Sequence, residues 1–327
     1  MTVFTAAVIG LGGIGQGFDY EAGDCNRVLT HAAAFSCHPH FELVAGVDPD
    51  PGARQKFEKK FGRPAFAAVR ELYKAAAPEV LALAVPTPLH FEVFKEVISH
   101  SPKAIVCEKP LALKLAEGQM MNDLAAEAQC LLLVNYLRRF EPQVLELKKR
   151  IAQKEFGEIY KGTVWYSKGI MNNGSHFIDL LMFWFGEVTE IEVLHPGRKI
   201  RGDDPEPDVR MKFGGLDMYF LAGREECFSI RELELLGTSG WIKYSRGGEE
   251  IITKKTGPHP LFPGYTVLEE EGQLLKTDLP RYQWHVVDAL YRAMVSGAPL
   301  NSTGVTALAT LTVVDRILNR VKELTHV

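Results

Sequence analysis

The first half of this chain is built on short apolar runs at residues 5–9, 42–47, 80–85, 104–107 and 130–134, with a shorter candidate at 65–67. None of them alternates apolar with polar residues, as a strand with one wet face would. Continuous runs of this length fit strands buried on both faces. Helix-like segments separate them, at 30–36, 52–61, 69–76, 90–99 and 113–129. Strands alternating with helices in this way fold as a parallel, doubly wound α/β sheet. Its crossovers are expected to be right-handed.

In such a sheet, ligands bind beyond the carboxyl ends of the strands. The first strand runs into "VIGLGGIGQG". Gly10, Gly12 and Gly15 match G-x-G-x-x-G, and Gly13 and Ile14 complete the turn. Two of these glycines let the backbone turn tightly and approach a pyrophosphate, and the third permits close packing. The second strand ends "LVAGVD", which puts Asp48 where a carboxylate accepts hydrogen bonds from an adenosine ribose. Its charge opposes a 2′-phosphate, so NAD is favoured over NADP. Asp48 lies 33 residues after Gly15, beyond the usual spacing of about 20 from the fingerprint. The excess falls on residues 17–29, a turn-rich stretch after which Thr30 can cap a helix. That stretch is either a surface excursion or a lid over the ligand.

The later strand ends carry more chemistry. The fourth ends in Pro86, Thr87, Pro88 and His90, the fifth in Glu108, Lys109 and Pro110, and the sixth in Asn135, Tyr136, Arg138 and Arg139. These ends are expected to line one crevice, where the nicotinamide half of a dinucleotide would lie. Lys109 then points into the site, and Pro110 stops the strand with a bond open to the cis form. A solvated Glu108–Lys109 pair is the bland alternative, worth little energetically.

The chain has 327 residues and suits two domains, expected at 1–136 and 137–327. Its net charge of −4 is spread over interspersed acids and bases, which argues against nucleic acid as a partner. No apolar run approaches the roughly 20 residues that span a bilayer, and the N-terminus reads as a strand rather than a signal peptide. The five cysteines form no C-x-x-C pair, and Cys107 and Cys130 sit in buried runs. A reduced, cytoplasmic protein without a bound metal is expected. His38-Pro39-His40 reads as a surface loop.

In the second half, residues 158–167 look like a strand. Asn172 or Asn173 can then cap a helix that ends near Gly186. Phe177, Leu180, Leu181 and Trp184 recur at helical spacing and mark a packed face. His176 lies in the first turn, near the positive end of the helix dipole, which favours a neutral imidazole. Beyond it come strands at 188–194, 209–213, 217–222, 227–236, 241–244 and 251–254, several of them alternating as in an antiparallel sheet. "HPGRKIRGDDPEPD" and "TGPHPLFPGYT" read as loops, and helices near 283–295 and 305–324 close the chain. Trp165, Tyr219 and Phe220 could form a sheet face that packs on another subunit or lies under a helix layer.

"GLGGIG", "VDPD", "VPTPLH", "CEKPLAL", "NYLRRFEP" and "NNGSHFIDLLMFWFGE", in this order, resemble the glucose–fructose oxidoreductase, inositol dehydrogenase and rhizopine-catabolism family, Gfo/Idh/MocA. The resemblance implies an N-terminal Rossmann domain and a C-terminal α+β domain on an open, mainly antiparallel sheet, which carries substrate and oligomer contacts. It implies an NAD-dependent oxidoreductase, a carbohydrate substrate and a homodimer or homotetramer. The family's lysine falls on Lys109 and its helix histidine on His176. One of the two stabilises the reacting oxygen and the other exchanges its proton, or they titrate as a coupled pair. Pro86, Thr87, His90, Glu108 and Lys109 would join the fingerprint and Asp48 at the cofactor, while Tyr136, Arg139 and Asn172 would position substrate. The family commonly has aspartate where Asn172 stands, and an asparagine cannot take a proton at neutral pH. Arginines suit phosphate or carboxylate, so Arg138 and Arg139 make a sugar nucleotide the first expectation and a free sugar or inositol the second. Arg198 and Arg201 are expected at the solvated surface. An NAD-dependent glycosidase and a non-catalytic sensor share the fold.

Overall fold

The computed structural model describes residues 2–198 and 204–325. The chain divides into two compact units, one formed by Met1–Phe140 with Pro280–Ala309, the other by Glu141–Leu279 with Thr310–Val327.

The first unit holds strands β1 (Phe4–Ile9), β2 (Phe41–Val47), β3 (Ala65–Phe66), β4 (Val80–Leu83), β5 (Ala104–Cys107) and β6 (Leu131–Val134). They form one six-stranded sheet in the order β3-β2-β1-β4-β5-β6, and every pair is parallel. Helices α1 (His31–Cys37), α2 (Pro51–Phe61), α3 (Val69–Ala75), α4 (His90–Ile98) and α5 (Leu115–Glu127) make the crossovers. The continuous apolar runs have a direct cause. Successive side chains point to opposite faces, and both faces are packed. Ala6, Val8, Val80, Ala82 and Val106 enter one cluster. Ala7, Ile9, Leu81, Leu83 and Ile105 enter the other. Helix starts are sequence-encoded too: Thr30 Oγ1 accepts from Ala33 N–H at 3.3 Å. Asp50 accepts from the Gly52 and Ala53 amides, with Pro51 as the first helical residue.

The domain expected at 137–327 does not stay apart from the first unit. Helix α8 (Tyr282–Ser296) returns to it, because Val286, Val287 and Leu290 complete the core that Phe4, Phe35 and Phe41 begin. The returning chain also bridges Leu133 with Thr303.

The second unit begins with α6 (Pro142–Ala152). Glu141 starts it by accepting from Val144 N–H at 2.8 Å, and Val144 and Leu147 pack inward. Its sheet has strands β7 (Ile159–Tyr166), β8 (Val188–His195), β9 (Asp208–Phe213), β10 (Leu216–Ala222), β11 (Arg231–Gly237), β12 (Gly240–Ser245), β13 (Glu250–Pro258), β14 (Thr266–Leu268) and β15 (Gln273–Lys276). The order is β14-β13-β12-β11-β7-β10-β9-β8, with β15 on β13. Only β7 with β10 is parallel among the described pairs. Helix α7 (Ser175–Phe185) packs Phe177, Leu180, Leu181 and Trp184 on one sheet face, with Val313 and Ile317 of α9 (Gly304–Thr325) in the same core. Phe220 belongs to this buried face, while Trp165 points to the other and is 43% exposed. The three aromatics therefore do not share a face, because Trp165 and Phe220 alternate across the pleat. Among the described residues, no helix is long and apolar enough to cross a membrane.

Candidate functional site

Hydrogen bonding continues past the last paired residues of the strands and aligns the turns beyond them. Gly10 N–H donates to Val47 O, Ala84 N–H to Ile9 O, Glu108 N–H to Leu83 O, and Asn135 N–H to Cys107 O. Asp48, the glycine turn, Val85, Glu108–Lys109 and Asn135 therefore stand side by side along one sheet edge.

The glycines at this edge have distinct reasons. Gly10 sits at φ +93°, and a Cβ there would lie 2.5 Å from Ala84 O. At Gly15 a Cβ would lie 2.0 Å from Gly10 O. Gly12 differs, since a Cβ there would meet nothing within 4 Å. Its backbone faces open space, as a turn must to take a pyrophosphate. Asp48 spans the two turns: Oδ2 accepts from Leu11 N–H and Oδ1 from Asp50 N–H, each at 2.8 Å. Each carboxylate oxygen keeps accepting capacity, and the residue is only half-buried. An open glycine turn beside a fixed carboxylate fits the pyrophosphate and adenosine ribose of a dinucleotide.

The turn-rich excess over 17–29 is fastened rather than loose. Residues 13–17 form one π-turn. Asp19 then accepts from the amides of Leu29 and Thr30 and from the Thr30 hydroxyl. Lys60 Nζ donates to Asp19 O and Tyr20 O, each at 2.6 Å. Cys25 is joined to Cys37 of α1 in a disulfide, which corrects the reading of all five cysteines as reduced. Both thiols belong to segments that the Asp19 and Thr30 contacts draw together, a proximity that spacing alone does not reveal.

Glu108 and its neighbours form a closed ring. His31 Nε2 lies 2.8 Å from Glu108 Oε1, and Asn135 Nδ2 donates to the same oxygen at 2.6 Å. Asn135 Nδ2 also donates to Gln283 Oε1 at 3.1 Å, and Gln283 Nε2 lies 2.8 Å from His31 Nδ1. The other carboxylate oxygen, Oε2, accepts from the Lys109 backbone N–H at 3.4 Å. Burial alone would push the Glu108 carboxyl up. The hydrogen bonds from His31 and Asn135 and the Lys109 charge outweigh it and hold the group below the usual carboxylate range. Glu108, expected at the cofactor, thus turns its carboxylate into this ring. Lys109 is half-buried, and its bond to Pro110 is cis.

Thr87 is half-buried and Pro86 exposed at the end of β4. His90, expected beside them at the cofactor, is instead 1% exposed. Its ring nitrogens lie against Leu111 O at 3.2 Å and Val85 O at 3.0 Å, so it joins the ends of β4 and β5 from within. After β6, Tyr136 is buried in the core, and Arg138 and Arg139 are buried as well. Arg139 Nη1 donates to Asn301 O at 3.0 Å, in the returning segment.

In the second unit, residues 169–174 form a π-turn and α7 starts at Ser175. Gly174, rather than Asn172 or Asn173, occupies the N-cap position of that helix. The turn is held instead by Asp204, whose carboxylate accepts from Met171 N–H at 2.8 Å and Asn172 N–H at 2.9 Å. Glu206 accepts from Lys168 N–H at 2.7 Å. His176 is the second residue of α7 and buried, and Asn172 is exposed. Arg198 pairs with Glu226 and Glu206; Arg201 lies outside the described residues. Of the ring, the motifs point to Glu108 and Asn135 as strand ends but not to His31 or Gln283. A histidine opening the helix after the excess is the one local signal; Gln283 carries none.

The family profile GFO_IDH_MocA, described as an oxidoreductase family with an NAD-binding Rossmann fold, matches residues 4–136. Glucose-6-phosphate 3-dehydrogenase of Bacillus subtilis (strain 168) is 30% identical over 49% of this chain and 41% of its own length. Inositol 2-dehydrogenase of Rhizobium meliloti (strain 1021) is 27% identical over 44% of this chain and 42% of its own length. The chain therefore spans less than half the length of these curated relatives. The WlbA dehydrogenase of Bordetella pertussis, solved in complex with NADH and UDP-GlcNAcA, superposes with a TM-score of 0.78 at 20% identity, over 98% of this chain and 96% of that one. Likeness at that identity speaks for the fold.

Proposed function

We propose, because residues 4–136 match the profile of the Gfo/Idh/MocA oxidoreductase family, that the chain is an NAD-dependent dehydrogenase acting on a secondary alcohol of a carbohydrate. The observation that carries the reading is the sheet edge itself. It sets the open glycine turn, the Asp48 carboxylate and Lys109 at strand ends along one edge of one sheet. When bound, NAD supplies the hydride-accepting carbon. The Gly12 backbone would hold its pyrophosphate, and Asp48 would accept from the ribose hydroxyls and disfavour a 2′-phosphate. Pro86 and Thr87 would border the nicotinamide. Lys109 would donate to the reacting oxygen and stabilise its developing negative charge. His176 would take or give the hydroxyl proton, and Asn172 would orient a hydroxyl without taking a proton.

For the substrate we favour a phosphate-bearing sugar, a sugar nucleotide first. A relative named glucose-6-phosphate 3-dehydrogenase is compatible with this, whereas Arg139 adds nothing, because it is 4% exposed and donates to Asn301 O. Arg198 adds nothing, because Glu226 and Glu206 already answer its charge. The test is absorbance at the reduced-nicotinamide band with NAD and a panel of nucleotide sugars, sugar phosphates, free hexoses and inositols. A signal with a nucleotide sugar, lost in Lys109→Ala, is expected. A signal only with free polyols would overturn the substrate class. Turnover that persists in folded Lys109→Ala would remove Lys109 from the chemistry, and tighter binding of NADP than NAD would sink the role of Asp48.

A further inference from the structure

We infer that His31 and Gln283 are positioning residues for Lys109, acting through Glu108. The inference rests on the proposed role of Lys109 and extends it to side chains that touch neither substrate nor cofactor.

The proton pattern of the ring is determined by its own geometry. A carboxylate only accepts, so Asn135 must present its amide nitrogen to Glu108 Oε1. The same nitrogen gives its second proton to Gln283 Oε1. Gln283 must then present Nε2 to His31, which makes His31 Nδ1 an acceptor and places the imidazole proton on Nε2, facing Glu108. Each contact dictates the next. Reversing any amide sets donor against donor or acceptor against acceptor elsewhere in the ring. His31, Asn135 and Gln283 are each no more than 1% exposed, so water does not repair a broken contact.

The ring therefore holds Glu108 in one orientation, with Oε1 inward and Oε2 on the Lys109 backbone amide. This orients the peptide that carries the lysine and places a fixed negative charge beside it. The three partners come from distant parts of the chain: α1, the end of β6 and α8. Lys109 thus depends on segments that motif reading treats as scaffold. Only Thr30, itself held by Asp19, separates His31 from the fastened excess over 17–29, so that excess sets the entry of the ring's first member.

The test compares His31→Leu, which removes both nitrogens, with His31→Gln, which keeps a donor in reach of Glu108. Steady-state kinetics with the best substrate of the panel should show kcat lowered about 10- to 100-fold in His31→Leu. KM for NAD should change by no more than about twofold, because the cofactor cradle is untouched. His31→Gln should recover most of the loss. Gln283→Leu should behave like His31→Leu. Equal loss in His31→Leu and His31→Gln, or unchanged kcat in both, would overturn the inference. A second readout needs no substrate. In protein labelled with carbon-13 at glutamate carboxyls, with Glu108→Gln as the assignment control, NMR should show Glu108 titrating at higher pH in His31→Leu than in the unaltered chain. An unmoved titration would overturn the ring's hold on Glu108. A moved titration in a protein whose folded Lys109→Ala variant keeps full turnover would support that hold while sinking the proposed role of Lys109.

Discussion

Glu108 sets an acid limit on the first unit. Its carboxyl is buried, which disfavours charge, yet the hydrogen bonds from His31 and Asn135 and the charge of Lys109 keep it ionised below the usual range. Its folded pKa thus lies below its unfolded value of about 4.3. The resulting stability is fully present above that value and is lost as pH falls through the folded one. Urea unfolding between about pH 7 and pH 3 should therefore show stability falling more steeply below about pH 4.3 in the unaltered chain than in Glu108→Gln. Parallel curves would show that Glu108 is not the group responsible. Residues of this kind are legible in the sequence only in part. Gly10, Gly12, Asp48 and Lys109 can be read because each directly follows a strand, and chain order alone puts strand ends on one edge. The direction of a side chain at that edge cannot be read. Glu108 and His90 share the edge with Lys109, but one turns into a ring with Gln283 and the other into backbone carbonyls. The His31–Gln283 contact spans 252 residues, and no local spacing encodes it.

Among elements, those with a dense apolar signal are the legible ones. All six strands of the first sheet and its five helices fall within a few residues of the apolar runs and caps that announce them. Helix α6 is an exception: Val144, Leu147 and Ile151 recur at helical spacing behind Pro142, but the element carries no motif to draw attention to it. Strands β14 and β15 escape a pattern reading because they are mostly exposed and lack alternation. The start of α7 is misplaced for another reason: a carboxylate from Asp204, far along the chain, holds the preceding turn in place of a local asparagine cap. The segment 17–29 is the clearest case of an element made by contacts rather than by pattern. Its disulfide closes a loop with a sequence separation of 12. Cross-linking a loop of that length restricts the unfolded chain by about 3 kcal/mol. Replacing Cys25 and Cys37 together by serine should lower the unfolding free energy by about that amount in non-reducing buffer and change little when reductant is present throughout. Equal stability of the two proteins without reductant would mean that the bond does not form in solution.

For the whole molecule, the sequence divides more simply than the structure does. The expected boundary falls after residue 136, yet Pro280–Ala309 belongs with the first unit. The cause is an unfinished core. Without α8, the sheet face bearing Phe4, Phe41 and Leu43 lacks Val286, Val287 and Leu290, all fully buried. Full burial of such side chains contributes roughly 1.5–3 kcal/mol each. Together they match a large share of the roughly 5–15 kcal/mol by which domains are stable. Polar contacts are lost as well: Ser302 Oγ donates to Val134 O at 2.7 Å, and Gln283 closes the ring around Glu108. A fragment covering residues 1–140 should therefore fail to unfold cooperatively on heating. The same fragment joined by a flexible linker to residues 280–309 should show one sharp transition and protect the amides of β1 and β4 from hydrogen exchange. Cooperative unfolding of the shorter fragment would mean that the first unit's core is complete without the returning chain, and that α8 is an attachment to that core rather than part of it.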